Sequence, residues 1–472
     1  MISITREGHT KRALRAGAAG LVLGALVAGA LATVRLHHPA AAAATASTLS
    51  PDLAALHYRY ATVKPADDPA DTGSTIRALE ARVAKLASPF DYAELAEIYL
   101  KKAQLDGDPA DYKTSEAMAR KSLDLLPEPN PAVLTLAKLA NVRHDFRDAI
   151  ELAHRPKKRT AGAQIVIATA HLALGELADA SAAAGAALEL KPDTAGFFTR
   201  ALIRQAQGRD AEAAFDFASA ARHEEPGDLQ GSARLRALWG RFLLRRGELT
   251  GAARAFDEAV RIVPGFPLAL AYRGELALRT GHARDAARWF EQAFVGSRQV
   301  RYLIDQARAL ELAGDRPSAD ALRTQVETIV RGELGDGGLG HRLDLAEVLI
   351  DRGQASDLVE ALGLAREEVA RRPSFEARFQ LARALARTGA RDEAMREVEA
   401  ALASGAHEAQ LYELASELER LRGNAGGAAL YTQLADRLDP GSSGWRAIGL
   451  VGSTGTGGST GTGGGTGTGG GK

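Results

Sequence analysis

Residues 239–264 read WGRFLLRRGELTGAARAFDEAVRIVP, and this stretch decides the fold. Gly247 stands where a first helix must stop, because glycine enters the left-handed region at no steric cost. Ala252, Phe256 and Ala259 then recur at helical spacing, and the small side chains among them let a paired helix approach closely. Pro264 ends that second helix and sets the next turn. Gly240, seven residues before the turn, lies mid-way along the first helix, where its partner crosses. The stretch is a helical hairpin closed by small residues.

The same order returns along the chain. Gly175, Ala180, Ala184, Ala187 and Pro192 repeat it, as do Gly281, Ala286, Phe290 and Ala293, with Arg298 in place of proline. Gly389, Ala394, Val398 and Ala401 follow, and then Gly423, Ala428, Thr432, Ala435 and Pro440. Gly247 to Gly281 and Gly389 to Gly423 are each 34 residues. At these residues the chain resembles the tetratricopeptide repeat family, over roughly Pro89 to Pro440. It also looks like bacterial exported proteins of that type whose first repeat carries an insert like Gly107-Asp108-Pro109.

The resemblance implies an all-α, right-handed α-α superhelix of about ten helix pairs, each burying its face on the next. Composition agrees: only 5% of the 472 residues are aromatic, helix formers dominate, and no β-branched runs of alternating polarity occur. The units run 74–128, 130–159, 161–192, 194–226, 233–264, 267–298, 300–331, 341–373, 375–406 and 409–440. Three places depart from the pattern. His144 replaces the turn glycine of the second unit, Gly227 to Ser232 lengthen the connection after Pro226, and the Gly332 to Gly340 loop breaks the phase.

Both ends differ from the body. A basic flank (Arg6, Lys11, Arg12, Arg15) precedes an uncharged apolar stretch, 16–34, of 19 residues, and small-residue sites follow at Ala42, Ala44 and Ala46. Residues 1–46 are thus a signal peptide or an N-terminal membrane anchor, and either reading places the body outside the cytoplasm. Residues 47–73, with Pro51, Pro65 and Pro69, are expected to form a linker, Tyr58 and Tyr60 lying on the first helices. The solenoid is expected over 74–440. Residues 441–451 form a short cap carrying Trp445, Ile448 and Leu450, and the Gly/Ser/Thr-rich 452–472 should be disordered.

Lys plus Arg and Asp plus Glu both total 59, so the formal net charge is zero, which argues against a nucleic-acid partner. Cysteine is absent, excluding disulfides and thiolate chemistry. No catalytic motif appears, so no enzyme and no cofactor are expected. Asp106, Asp108 and Asp111 suggest Ca²⁺, but Ala110 stands where a third ligand is needed, and a solvated loop is favoured.

In the tetratricopeptide family the first helix of each pair lines the concave groove. Carried over, the groove residues are Phe198, Leu202, Arg234, Arg241, Arg245, Ala271, Glu275, Arg279, Arg301, Ile304, Arg308, Phe379, Arg383 and Arg387. Their arginines fit an acidic segment or a C-terminal carboxylate of another protein. The blander reading, which abundance of arginine favours, is a solvated lattice with Glu275, Glu311, Glu347 and Glu376. The function expected is therefore a protein-binding scaffold of the cell envelope. The alternative is a structural solenoid that self-associates through its ends. Membrane contact is expected only through 16–34.

Overall fold

The computed structural model describes residues 53–60, 69–106, 108–127, 129–335 and 341–441. The expected signal or anchor, cap and Gly-rich tail lie outside the described residues, except for Gly441. Among the described residues every regular element is a helix. A short α1, Leu53–Leu56, and a leading α2, Pro69–Lys85, precede ten pairs. These are α3 Pro89–Asp106 with α4 Pro109–Leu125, α5 Ala132–Val142 with α6 Phe146–His154, and α7 Ala161–Leu174 with α8 Leu177–Leu190. Next come α9 Thr194–Ala206 with α10 Asp210–Arg222, α11 Leu229–Leu244 with α12 Leu249–Ile262, and α13 Pro267–Arg279 with α14 Ala283–Ser297. The last four are α15 Val300–Leu312 with α16 Arg316–Gly335, α17 Arg342–Arg352 with α18 Ala355–Arg371, α19 Phe375–Arg387 with α20 Arg391–Ala403, and α21 Ala409–Leu421 with α22 Ala425–Leu438. No described helix is long and apolar enough to cross a membrane.

Within a pair, the turn and the crossing point act as the residues require. Gly247 has φ 77°, and the amide of Glu248 behind it donates to Leu243 O at 3.0 Å, closing α11. His144 takes the same left-handed conformation, φ 62°, without being glycine, and its ring stacks on Phe146 with centroids 5.5 Å apart. At the crossing, a Cβ on Gly274 would sit 2.8 Å from the buried Phe290 ring, and one on Gly240 would sit 2.5 Å from Phe256. Gly274→Leu is therefore expected to cost about 1–3 kcal/mol by overpacking. Unchanged chemical denaturation would show that the helices do not cross there.

Alanines 180, 184, 187, 252, 255, 259, 286 and 293 are fully buried, so the core is a continuous strip running from one pair to the next. Neighbouring pairs are not the only contacts. Asp145 in the second pair meets Arg371 of the eighth at 2.7 Å, and the Gly175 turn of the third meets Ser404 after the ninth. Arg245 reaches Glu408 at 2.8 Å, Arg246 donates to Leu438 O at 2.8 Å, and Arg279 pairs with Asp439 just past α22. Pairs four to six positions apart thus touch, and the superhelix closes on itself along a seam that is largely polar.

The expected linker is only partly a linker. Leu56 and Tyr58 are 3% and 1% exposed, and they pack on α11 and α12 of the fifth pair. Tyr58 and Tyr60 were expected on the first helices. They dock instead some 160–200 positions away, because residues there offer them buried hydrogen-bond partners.

Candidate functional site

Closing the turn converts the open groove into a cavity of about 710 Å³, the size range of small-ligand sites. First helices supply most of its wall, as the helix-pair geometry requires. Of the eleven groove residues other than Leu202, Ala271 and Ile304, seven line it: Arg241, Arg245, Glu275, Arg301, Arg308, Phe379 and Arg383. Four do not. Phe198 packs toward Phe217 with ring centroids 6.3 Å apart, and Arg234 is exposed. Arg279 is buried in the seam with Asp439 and also donates to Leu244 O at 2.9 Å. Arg387 lies against Gly353.

The arginines in the wall are matched by carboxylates. Arg301 bonds Asp344 at 2.9 Å and also Glu347, while Arg308 bonds Glu347 and reaches Asp351 at 3.3 Å. Arg383 donates to Asp351 at 2.6 Å and to Gln380 Oε1 at 3.0 Å. Arg241 sits 3.5 Å from Glu275 and 5.1 Å above the Tyr272 ring. Six arginines (241, 245, 301, 308, 372, 383) and six acids (275, 305, 344, 347, 376, 413) line the cavity, so its wall is neutral. The expected positive stripe for an acidic segment is corrected accordingly. Glu347 acts as expected, whereas Glu311 turns away to pair with Arg323. Sequence reading missed Asp351, Asp344, Asp305, Tyr272 and Tyr302. Asp351 stood one helical turn after Glu347 on the same face, which was the available signal.

Burial opposes ionisation of Glu347 and Asp351, yet the surrounding arginines outweigh it and hold both carboxyls below the usual range. Burial pushes Asp305 the other way, up to about 6, against the pull of Arg301 and Arg308. Burial, with Arg372 beside it, lowers His144 to about 4, so its imidazole is neutral at pH 7.

These directions fix signs. An acid whose folded pKa is raised destabilises the folded state above that pKa, and the penalty vanishes below its unfolded pKa near 4. Asp305→Asn should therefore stabilise the chain by on the order of 1–3 kcal/mol at pH 8 and leave it unchanged near pH 4. Equal gains at both pH values would contradict this. Glu347, Asp351 and His144 have lowered values, so their contributions are present near neutrality and are lost as pH falls.

The other polar clusters have structural jobs. Asp108 caps α4 by accepting from Ala110 N at 2.9 Å, and Asp111 pairs with Lys102. The His223 ring contacts Ser219 O at 2.8 Å at the end of α10, a capping contact. Trp239 is buried and stacks on Phe217 with centroids 6.0 Å apart.

No protein-family profile and no curated protein matches the sequence. Among solved structures, a tetratricopeptide repeat protein from Parabacteroides merdae is 16% identical over 50% of this chain and 92% of that one, with TM-score 0.35. A monomeric IFIT1 mutant with Gppp-AAAA is 13% identical over 78% of this chain and 87% of that one, with TM-score 0.44. The human IFIT1 dimer with PPP-AAAA is 15% identical over the same shares, also at 0.44. The exclusion of nucleic-acid partners is corrected, and two of these structures hold Gppp-AAAA and PPP-AAAA. The zero net charge never licensed it, because total charge governs the distant field and not the lining of one cavity. Over the described residues the chain folds as an all-α solenoid of ten tetratricopeptide-like helix pairs wrapped around a cavity.

Proposed function

We infer that this chain is a non-catalytic binding scaffold, exported from the cytoplasm, that holds a partner segment of balanced charge in its inner cavity. The observation that carries the reading is the neutral wall. Guanidinium and carboxylate groups alternate there beside Tyr272, Tyr302 and Phe379, and Gln299, Gln380 and Gln410 add amide groups. Such a wall offers donors and acceptors to a peptide backbone and flat apolar faces to its side chains. It repels neither sign of charge. Export rests on the basic flank, the apolar 16–34 stretch and the small-residue sites after it.

The test fills the cavity without cutting its ion pairs. Gln410 lines the wall and is half-buried. Gln410→Trp should abolish capture of the native partner from envelope extracts while leaving helicity and melting unchanged. Capture of the same partner by both forms would place the binding surface outside the cavity. A reporter active only in the cytoplasm, fused to the C-terminus, should stay silent; activity would refute export.

A further inference from the structure

The segment Leu56–Tyr60 is held through its main chain. Arg236 Nε donates to Leu56 O at 2.7 Å, the Tyr58 amide donates to Glu258 Oε1 at 2.6 Å, and Arg261 donates to Tyr58 O at 3.3 Å. Tyr60 Oη and Arg59 reach the backbone of the α10–α11 connection, at Glu224 O (2.9 Å) and Arg222 O (2.5 Å). The Arg236 guanidinium lies 5.5 Å from the Tyr58 ring centroid, and Leu229, Ala233 and Ile262 pack around that ring.

The receptor for this segment has an internal brace of its own. Arg236 and Glu224 form a two-bonded buried pair, 2.5 and 2.9 Å, and Ser232 O accepts from the same guanidinium at 3.0 Å. Those bonds do not involve Leu56–Tyr60, so the slot is organised by its own residues. The slot adjoins the lengthened connection after Pro226. Its extra residues include Gly227 at φ 104° and Leu229, which packs with Tyr58, while Glu224 just before Pro226 meets both Arg236 and the docked segment.

We propose that this slot is a peptide-docking site that reads a Leu-x-Tyr-x-Tyr segment, filled by the chain's own residues 56–60 as an exchangeable latch. The aromatic Tyr58 is the anchor, and reading of its amide and carbonyl fixes the register. The latch fastens residues 56–60 to the fifth helix pair. A separate peptide of the same sequence takes the same place when the internal copy is weakened. In the unaltered chain the tethered copy wins by its high effective concentration.

The probe is a fluorescent synthetic peptide, PDLAALHYRYAT, spanning residues 51–62. The full chain carrying Leu56→Ser and Tyr58→Ser should bind it at least about tenfold more tightly than the unaltered chain does. Adding Glu258→Ala to that variant should remove the gain. Equal affinity for the unaltered and weakened chains, or binding indifferent to Glu258→Ala, overturns the proposal. If the weakened chain loses its helicity, hydrogen exchange on the unaltered chain decides. Exchange of the Tyr58 amide at least about tenfold slower than in the free peptide supports the latch, and exchange at the free-peptide rate overturns it.

Discussion

Asp351→Ala should lower the unfolding free energy by about 3–5 kcal/mol, the range for breaking a buried ion pair from one side. Asp351 accepts from Arg383 at 2.6 Å and meets Arg308 at 3.3 Å, and the Asp351 and Arg383 side chains are 6% and 2% exposed. Removing the carboxylate takes the 2.6 Å counter-charge from a guanidinium that is 2% exposed, and the neutral Gln380 Oε1 bonded to it cannot replace that charge. Arg308 suffers less, since Glu347 still holds it. Replacing both Asp351 and Arg383 by apolar residues of similar volume should recover most of the loss, because no stranded charge remains. Urea unfolding followed by helicity measures both variants. A single variant as stable as the unaltered chain would mean that Arg383 finds solvent, and that the cavity wall is looser than these contacts require.

The second large effect concerns the seam. Arg245 holds Glu408 at 2.8 Å, and Arg279 is buried with Asp439 while donating to Pro440 O at 3.2 Å. Arg245→Glu with Arg279→Glu places carboxylates against carboxylates on both contacts. The last two helix pairs should swing away, because two like-charge contacts then oppose what Arg246 on Leu438 O and the Gly175 and Gly405 contacts still hold. Small-angle scattering should show a larger radius of gyration at unchanged helicity. Partner capture through the cavity should fall with it. An unchanged radius would show that the contacts near Gly175 and Gly405, with Arg246 on Leu438 O, suffice to close the turn.

What the sequence made legible follows the range of the forces involved. The turn at Gly247 and the Gly240–Phe256 crossing are steric requirements settled within about twenty residues, so their spacing announced the helix pairs. The inward faces were legible through the resemblance to tetratricopeptide repeats, which assigns first helices to the groove and so implied that Arg301, Arg308 and Arg383 point inward. Their partners were harder. Arg301 meets Glu347 on the next pair, and Arg245 meets Glu408 across 163 positions. Such pairings depend on the pitch of the superhelix, which no local pattern encodes. Abundant arginine therefore suggested a positive stripe where the folded chain builds a neutral wall. The lengthened connection after Pro226 showed as a break in the repeat. Its use was invisible, since Leu56 and Tyr58 lie more than 160 residues away in sequence.

The measurement that bears most directly on the closed turn uses the absence of cysteine. A Cβ built on Gly175 lies 3.5 Å from Ser404 Cβ, at the edge of the disulfide range of about 3.5–4.5 Å. The chain holds no other thiol, so Gly175→Cys with Ser404→Cys creates a single possible pair. The left-handed backbone at Gly175, φ 77°, costs a side chain about 1–2 kcal/mol, and His144 and Arg298 already occupy that region. Under mild oxidation of dilute protein the turn described here predicts rapid intramolecular disulfide formation, seen as a faster-migrating monomer. Thiols that stay free, or that link only separate molecules, would contradict the closure and with it the cavity.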